Sequence, residues 1–438
     1  MKPSLSSHFQ TRAPSSIRLA QIEFLKRSDG VVAVNTAIGN VSLPMHLSMV
    51  KRMFSLGDEG SPFRQGVVKY SSTVGEVEAN QAFLHLIKTS GFSTDGLYCQ
   101  MTDGGSQAME LAILGVCGPA GSKEKPLLVI DPTYSNYSSF AERTGRQTVA
   151  VTRRLDESGK FTLPSLAEIE KVIQDSKPGA LLVIPYDNPT GQFFPQKTLV
   201  ELGRLCVKYN LWLISDEAYR ELFYTDEKTS SVWGITEKEV PGITGRRISV
   251  ESVSKVMNAC GLRIGALITD SKEFHQKAVA ENTANLCANA IGQYIVGALL
   301  HESKEALHSW FKEQREYYQR IAIALTSDLK NEMPKLIVSM PDASLYTVID
   351  VRNMVGSDFD ATEFVMYCAR EGHVLVNGVK KTLLVAPMSG FYSGSAGMPN
   401  YGKTQMRIAY VESPDVMVEV PRLLSQLLRD FSALQGAK

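Results

Sequence analysis

The chain has 438 residues, 44% of them hydrophobic and 21% charged, which suits about two to three domains at roughly 150 residues each. Lysine plus arginine and aspartate plus glutamate both number 46, so the formal net charge is zero, which excludes the electrostatic footprint of a general nucleic-acid or acidic-membrane binder. No apolar run approaches the ~20 residues a membrane span needs, so neither a membrane nor a nucleic acid is an expected partner and a small-molecule enzyme leads.

In chain order, the first 22 residues carry Lys2, Arg12 and Arg18, several serines and no acid before Glu23. That composition faintly resembles a transit peptide but lacks the apolar core of a secretory signal, and it reads as an N-terminal arm. From about Gln81 to Leu325, helical patterns alternate with short apolar runs at Leu127–Ile130, Leu181–Ile184, Leu211–Ile214, Ile248–Val250 and Gly265–Ile268. Runs of Leu, Val and Ile at helix-length intervals predict strands buried on both faces of a mostly parallel sheet. The intervening helices are expected at Ala108–Val116, Leu166–Ser176 and Gln196–Tyr209, the last two stopped by Lys177-Pro178 and Asn210.

A charged helix over Lys312–Lys330 and a break at Met333-Pro334 precede a different pattern. Strands are expected at Leu336–Ser339, Leu345–Ile349, Leu383–Ala386 and Met406–Ala409, with helices at Thr362–Arg370 and Pro414–Leu434. The piece Ser389–Pro399, rich in Gly and Ser, reads as a mobile loop. The expected organisation is α/β, with a large domain over residues 46–325 and a small α+β domain made of 1–45 and 326–438. Six widely spaced cysteines without a C-x-x-C pair suggest reduced thiols and a cytoplasmic protein, and the seven histidines show no metal-ligand spacing, so no metal is implied.

In open α/β sheets, ligands sit beyond the strand carboxyl ends. Three such ends carry unusual residues: Asn188 in Pro185-Tyr-Asp-Asn-Pro-Thr-Gly191, Asp216 and Tyr219 in Ser215-Asp-Glu-Ala-Tyr219, and Lys255 in Glu251-Ser-Val-Ser-Lys255. Together they match what pyridoxal phosphate needs. A buried carboxylate holds the proton on the pyridine nitrogen, which fits Asp216. The ring's phenolate oxygen needs donors, a task for Tyr219 and Asn188. A lysine amine must join the aldehyde covalently and shuttle a proton, and Lys255 is the candidate.

The phosphate needs backbone N–H groups at a helix N-terminus, hydroxyls and a cation. Gly105, Ser106 and Gln107, opening a helix after the strand-like Leu97–Met101, supply the first; Ser252 and Arg263 supply the rest. Tyr134, in Asp131-Pro-Thr-Tyr134, offers an aromatic face for the ring. Each piece alone is ordinary: Asn-Pro-Thr-Gly is a turn signal, and single carboxylates, lysines and arginines are mostly solvated. Their joint fit to one set of roles is not.

In this order, the elements resemble the signature of class I/II aminotransferases, the fold-type I pyridoxal-phosphate enzymes, from roughly Ile17 to the C-terminus. The resemblance implies a seven-stranded, mostly parallel sheet flanked by helices in the large domain. It implies Lys255 as the covalent lysine, Asp216 as pyridinium partner, Asn188 and Tyr219 as phenolate donors and Tyr134 as the stacking ring. Gly105, Ser106, Gln107, Ser252 and Arg263 are implied to hold the phosphate. Tyr70 is implied to reach the phosphate of a partner subunit across a homodimer interface, and Arg407 to fork the substrate α-carboxylate.

Two stretches depart from the family pattern: Ala79-Asn80, where Leu-Arg is usual, and Thr36–Pro44. Ala37, Ile38 and Gly39 are candidate substrate contacts, and which residue of Thr36–Asn40 lines the substrate stays open. The implied reaction moves an amino group between an L-amino acid and a 2-oxo acid, 2-oxoglutarate as acceptor, by a ping-pong cycle. The alternatives are a lyase or decarboxylase on the same scaffold and a non-catalytic amino-acid sensor. A distal substrate carboxylate would require a second cation, and the sequence alone does not rank Arg12, Arg18, Arg64, Arg143 and Arg154 for that task.

Overall fold

The computed structural model describes residues 3–119, 125–393 and 400–436. Its largest sheet has seven strands in the order Tyr98–Asp103, Ile264–Thr269, Arg247–Ser252, Trp212–Asp216, Ala180–Val183, Leu127–Asp131, Thr148–Thr152. Ile264–Thr269 runs antiparallel to both neighbours, and the remaining pairs are parallel. Successive side chains on a strand face opposite ways. Leu127 and Val129 therefore join Leu182, Ile214, Val250 and Leu267 on one face, while Leu128 and Ile130 join Leu181, Val183 and Leu213 on the other. Each such fully buried side chain contributes about 1.5–3 kcal/mol.

Helices Gly104–Val116, Asn136–Arg143 and Lys272–Asn282 cover the first face, through Ala108, Met109, Tyr137, Phe140 and Phe274. Helices Val77–Thr89, Leu166–Ser176 and Gln196–Lys208 contribute Phe83, Ile169, Ile173 and Leu199 to the core on the second. Leu166–Ser176 starts with a capping box between Ser165 and Glu168 and stops at Lys177, whose φ of 46° is left-handed, just before Pro178. The edge strand Thr148–Thr152 was not expected. Its Thr-Val-Ala-Val-Thr is mostly half-buried and lacks the continuous apolar run of its neighbours.

Helix Lys304–Glu332 is about 43 Å long at 1.5 Å per residue and starts eight residues before the expected charged segment. Its N-cap is Ser303, whose hydroxyl accepts from the Ala306 N–H, with Glu305 favourably placed in the first turn.

Beyond it lies a smaller domain with two sheets. An antiparallel sheet orders Ile337–Val338, Tyr346–Asp350, Gln405–Ala409, Ala386–Pro387, and a second orders Val32–Asn35, Val379–Leu384, Val374–Val376. The expected strand Leu383–Ala386 is thus divided between sheets. The expected helix Pro414–Leu434 is also divided, into Pro414–Met417 and Val420–Gly436, since Pro421 has no N–H to continue the first turn. Of the expected loop Ser389–Pro399, Met388–Phe391 forms a tight turn with Phe391 buried, and 394–399 lie outside the described residues.

Candidate active site

At the carboxyl ends of the parallel strands, a cavity of ≈ 580 Å³ opens. Lys255 enters it from the one-turn helix Val253–Val256, which directly follows strand Arg247–Ser252 and is capped by Ser252, whose Oγ accepts from the Ser254 N–H. The Lys255 ammonium donates to the Gly39 carbonyl, and its Nζ lies 3.7 Å from Cys260 Sγ. Gly39 is there for close approach: a Cβ would come within 2.2 Å of the Tyr346 hydroxyl.

Asp216, at the end of its strand, has both carboxylate oxygens hydrogen-bonded. Oδ2 accepts from the Tyr137 hydroxyl at 2.6 Å and Oδ1 from the Ala218 N–H at 3.1 Å. Burial pushes its pKa above the ordinary carboxylate value, with Glu251 and Asp187 adding to the push while these two donors pull it down. Tyr219 and Tyr346 hydroxyls meet at 2.6 Å, and burial holds the Tyr219 phenol well above its usual range.

Arg407, 2% exposed, stands on strand Gln405–Ala409 with Tyr346 beneath its guanidinium at 4.2 Å and Phe391 at 5.0 Å. Nη1 donates to Asn188 Oδ1 at 2.8 Å and Nη2 to the Ala37 carbonyl at 2.6 Å, while Nε has no partner among the described residues. Asn188, its oxygen committed to Arg407, keeps its amide N–H groups for another acceptor.

The anion-binding end is built on helix Gly104–Val116. Gly104 has φ +73°, and a Cβ on it would come within 2.5 Å of Arg263 Nη2, so the guanidinium packs directly on the helix start. Gly105, Ser106 and Ser252 share this wall. Arg263 donates from Nη1 to the Cys260 carbonyl and has no carboxylate partner among the described residues. Free N–H groups, a helix dipole and an unpaired cation make a site for a doubly charged anion.

The cavity therefore brings together Ile38, Gly39, Gly105, Ser106, Tyr134, Asn188, Asp216, Tyr219, Ser252, Lys255, Arg263 and Arg407. Three sequence candidates stand apart from its walls. Ala37 lies behind, touching Arg407 through its carbonyl. The Gln107 side chain turns away: its carbonyl caps the Asp103 N–H and its amide donates to Asn282. Tyr70 is 81% exposed.

The Tyr134 hydroxyl accepts from Asn136 at 2.7 Å, and burial raises its phenol to about 12. Neither Tyr346 nor Tyr137 was singled out from the sequence. The only available signal for Tyr137 was its i+3 spacing from Tyr134.

A family model described as aminotransferase class I and II matches residues 63–390. The chain belongs to this family. Among curated proteins it is 24% identical over 350 residues to an aspartate aminotransferase of Streptomyces avermitilis, covering 78% of this chain and 77% of that one. It is 26% identical over 257 residues to an aspartate aminotransferase of Thermotoga maritima, covering 58% of this chain and 64% of the relative's length. Among solved structures, N-succinyldiaminopimelate aminotransferase from Mycobacterium tuberculosis superposes with TM-score 0.79 at 20% identity, over 97% of this chain and all of that one, and shares the fold.

The cofactor of class I and II aminotransferases is pyridoxal phosphate, and the residues present fit it. The orphaned Arg407 Nε and the unpaired Arg263 at a helix N-terminus mark two separate anion positions, suited to a substrate carboxylate and a cofactor phosphate. Asp216 and Lys255 stand in the same cavity.

Proposed function

We propose that this aminotransferase moves an amino group between an L-amino acid and a 2-oxo acid, with 2-oxoglutarate as acceptor, in a ping-pong cycle. The observation that carries this reading is one cavity walled by Lys255, Asp216 and Arg407, an amine, a carboxylate and a guanidinium with an unpaired N–H. When bound, the cofactor supplies an aldehyde that captures amines and a ring that withdraws electrons.

The protein's own groups do the rest. Lys255 Nζ would hold the cofactor covalently and, as a free amine, would accept the substrate α-proton and donate it back. Arg407 binds the α-carboxylate through its planar fork, for which the rings of Tyr346 and Phe391 provide a rigid, water-poor seat. Asp216, whose anionic form Tyr137 and Ala218 favour by donating to it, would hold the proton on the ring nitrogen. Tyr219 and Asn188 donate to the phenolate oxygen, and Gly105, Ser106, Gln107 N–H, Ser252 and Arg263 hold the phosphate.

Two copies form the working unit in this reading. Among the described residues Tyr70 makes no hydrogen bond, and its exposure frees it to reach the partner's phosphate. Residues 46–325 are taken as the large domain and 1–45 with 326–438 as the small one. All six cysteines are free, Cys99, Cys117, Cys206 and Cys368 buried, in keeping with a cytoplasmic protein.

Borohydride reduction of the holoprotein and peptide mapping test the attachment: the label belongs on Lys255. Incubation with amino donors and 2-oxoglutarate tests the reaction, with glutamate as the expected product. Ammonia or carbon dioxide release would instead indicate a lyase, and a spectral change without turnover would indicate a sensor. Lys255→Ala should bind cofactor and lose turnover by several orders of magnitude.

A further inference from the structure

We propose that Arg153 is a positioning residue: its buried guanidinium ties together the two loops that carry Tyr134 and Asn188, and so sets how the cofactor ring and Arg407 are held. This rests on the aminotransferase reading above. Arg153 follows the edge strand Thr148–Thr152, is 1% exposed, and is not part of the cavity wall.

Its donors divide between two segments. Towards the loop after strand Leu127–Asp131, Nη2 donates to the carbonyls of Ile130 at 3.1 Å and Pro132 at 2.5 Å. Nε reaches the Asp131 carbonyl at 3.4 Å, and the Arg153 backbone N–H donates to the same oxygen at 2.7 Å. Towards the turn after strand Ala180–Val183, Nη1 pairs with the Asp187 carboxylate, donates to Gln192 Oε1 at 3.1 Å and reaches Thr190 Oγ1 at 3.4 Å.

Tyr134 stands two residues beyond Pro132, and Asn188 directly follows Asp187. Asn188 Oδ1 in turn accepts from Arg407, and the Thr133 N–H donates to the carbonyl of Phe391, whose ring lies against the Arg407 guanidinium. One side chain is therefore within a residue or two of Tyr134, Asn188 and the seat of Arg407.

Stability alone does not account for such a residue. Asp187 is likewise 1% exposed, and burial pushes its carboxyl toward the neutral acid while Arg153 pulls it back. Burying an ion pair means desolvating two charges, and an apolar pair of similar volume commonly serves a core as well. What an apolar pair lacks is a planar fork of N–H groups that spans two loops at fixed angles. Misplacing a reacting group by about 1 Å costs on the order of 100-fold in rate, so the placement of those loops has a catalytic consequence.

Two variants separate placement from stability. Arg153→Lys keeps a positive charge beside Asp187 but has no fork to reach both loops. Arg153→Gln leaves Asp187 as an unpaired buried charge, and adding Asp187→Asn removes that charge without restoring the fork. The readouts are the thermal midpoint of the apoprotein, the visible circular dichroism of the bound cofactor, and kcat and KM for several amino donors. The dichroism reports how firmly the ring is held in its asymmetric surroundings.

Arg153→Gln should lower the midpoint by about 5 °C, and the double variant should recover roughly half of that or more. Arg153→Lys should stay within about 2 °C of wild type. Both Arg153→Lys and the double variant should nevertheless lose about half of the dichroism per bound cofactor, with kcat lower by about 10–100-fold. KM should rise by about 3–10-fold for every donor alike, since Arg407 meets the α-carboxylate they share. Loss of the Asp187 charge does not explain such a deficit, because that charge pushes Asp216 toward its neutral form and its removal favours the ionised one.

The proposal is overturned if Arg153→Lys keeps wild-type dichroism and rates. It is equally overturned if the double variant regains its rate in step with its midpoint, which would leave Arg153 a stabilising residue only. If wild-type holoprotein shows no dichroism in the cofactor's visible band and forms no product from any donor, the aminotransferase reading falls first and takes this one with it.

Discussion

Tyr137→Phe tests how the ring-facing carboxylate is kept ionised. Burial favours the neutral form of Asp216, and the Tyr137 hydroxyl, 2.6 Å away, is the first of the two donors opposing it. A hydrogen bond to a charged group is worth about 1.5–3 kcal/mol. Its loss should raise the Asp216 pKa further, because one of the two donors that oppose burial is gone. The Tyr137 ring is 1% exposed and packs beside Phe140, so phenylalanine leaves no cavity and the fold should persist.

A less ionised Asp216 holds the protonated ring more weakly. The expected result is a fall in kcat of about 10–100-fold, easier loss of cofactor on dialysis, and an acidic limb of the kcat–pH profile moved to higher pH. Assays are steady-state rates from pH 5 to 9, cofactor retention, and thermal midpoint. A variant with wild-type rates and an unmoved limb would refute the idea that Tyr137 sets the charge of Asp216. Equal losses in rate and melting temperature, with the profile unmoved, would reduce Tyr137 to a packing residue.

Gly39→Ala places a methyl 2.2 Å from the Tyr346 hydroxyl, beside the carbonyl that Lys255 touches. Overpacking of about 1–3 kcal/mol should cut kcat/KM by roughly 10–100-fold, and adding Tyr346→Phe should recover part of it; no recovery would exclude the hydroxyl as the obstacle. Arg407→Lys should raise KM for every amino donor by about 10-fold or more with a smaller effect on kcat, because a point charge cannot fork a carboxylate; donor-independent loss of kcat alone would contradict the role.

Asp131 has its carboxyl pushed up to about 6 by burial, although the Ser393 N–H and hydroxyl both donate to it. The folded state favours the neutral acid, so its contribution to stability is complete below about pH 4 and lost as pH rises through about 6. The span is worth up to about 3 kcal/mol. The melting temperature of wild type should therefore fall relative to Asp131→Asn between pH 4 and 6.5, and a constant difference would show that Asp131 titrates normally.

What was legible in the sequence, and what was not, divides along a physical line. Leu127–Ile130 and Leu181–Ile184 announce buried strands because both faces of a parallel sheet must be apolar, and the observed strands Leu127–Asp131 and Ala180–Val183 follow. Asn188, Asp216 and Lys255 stand out because polar residues directly after such runs have no packing reason to be there. Tyr346 and Tyr137 carry no such mark. Tyr346 lies in a strand buried throughout, and its partner Tyr219 is 127 residues away. A tyrosine supporting a catalytic group and a tyrosine filling a core obey the same periodicity, and they differ only in what the hydroxyl meets.

Arg18 is hidden for the opposite reason. On a short N-terminal helix it looks like any solvated cation, and only the strand beneath that helix brings it to the cavity holding Arg407. The chemistry common to the family is thus written locally at strand ends, while the residues that support those groups depend on contacts between distant segments. Variants at Tyr137 and Tyr346 should accordingly alter rate and pH dependence without abolishing covalent attachment of the cofactor at Lys255. Failure of either variant to form the covalent link when cofactor is supplied in excess would mean that the division between a local chemical core and its long-range supports is drawn in the wrong place.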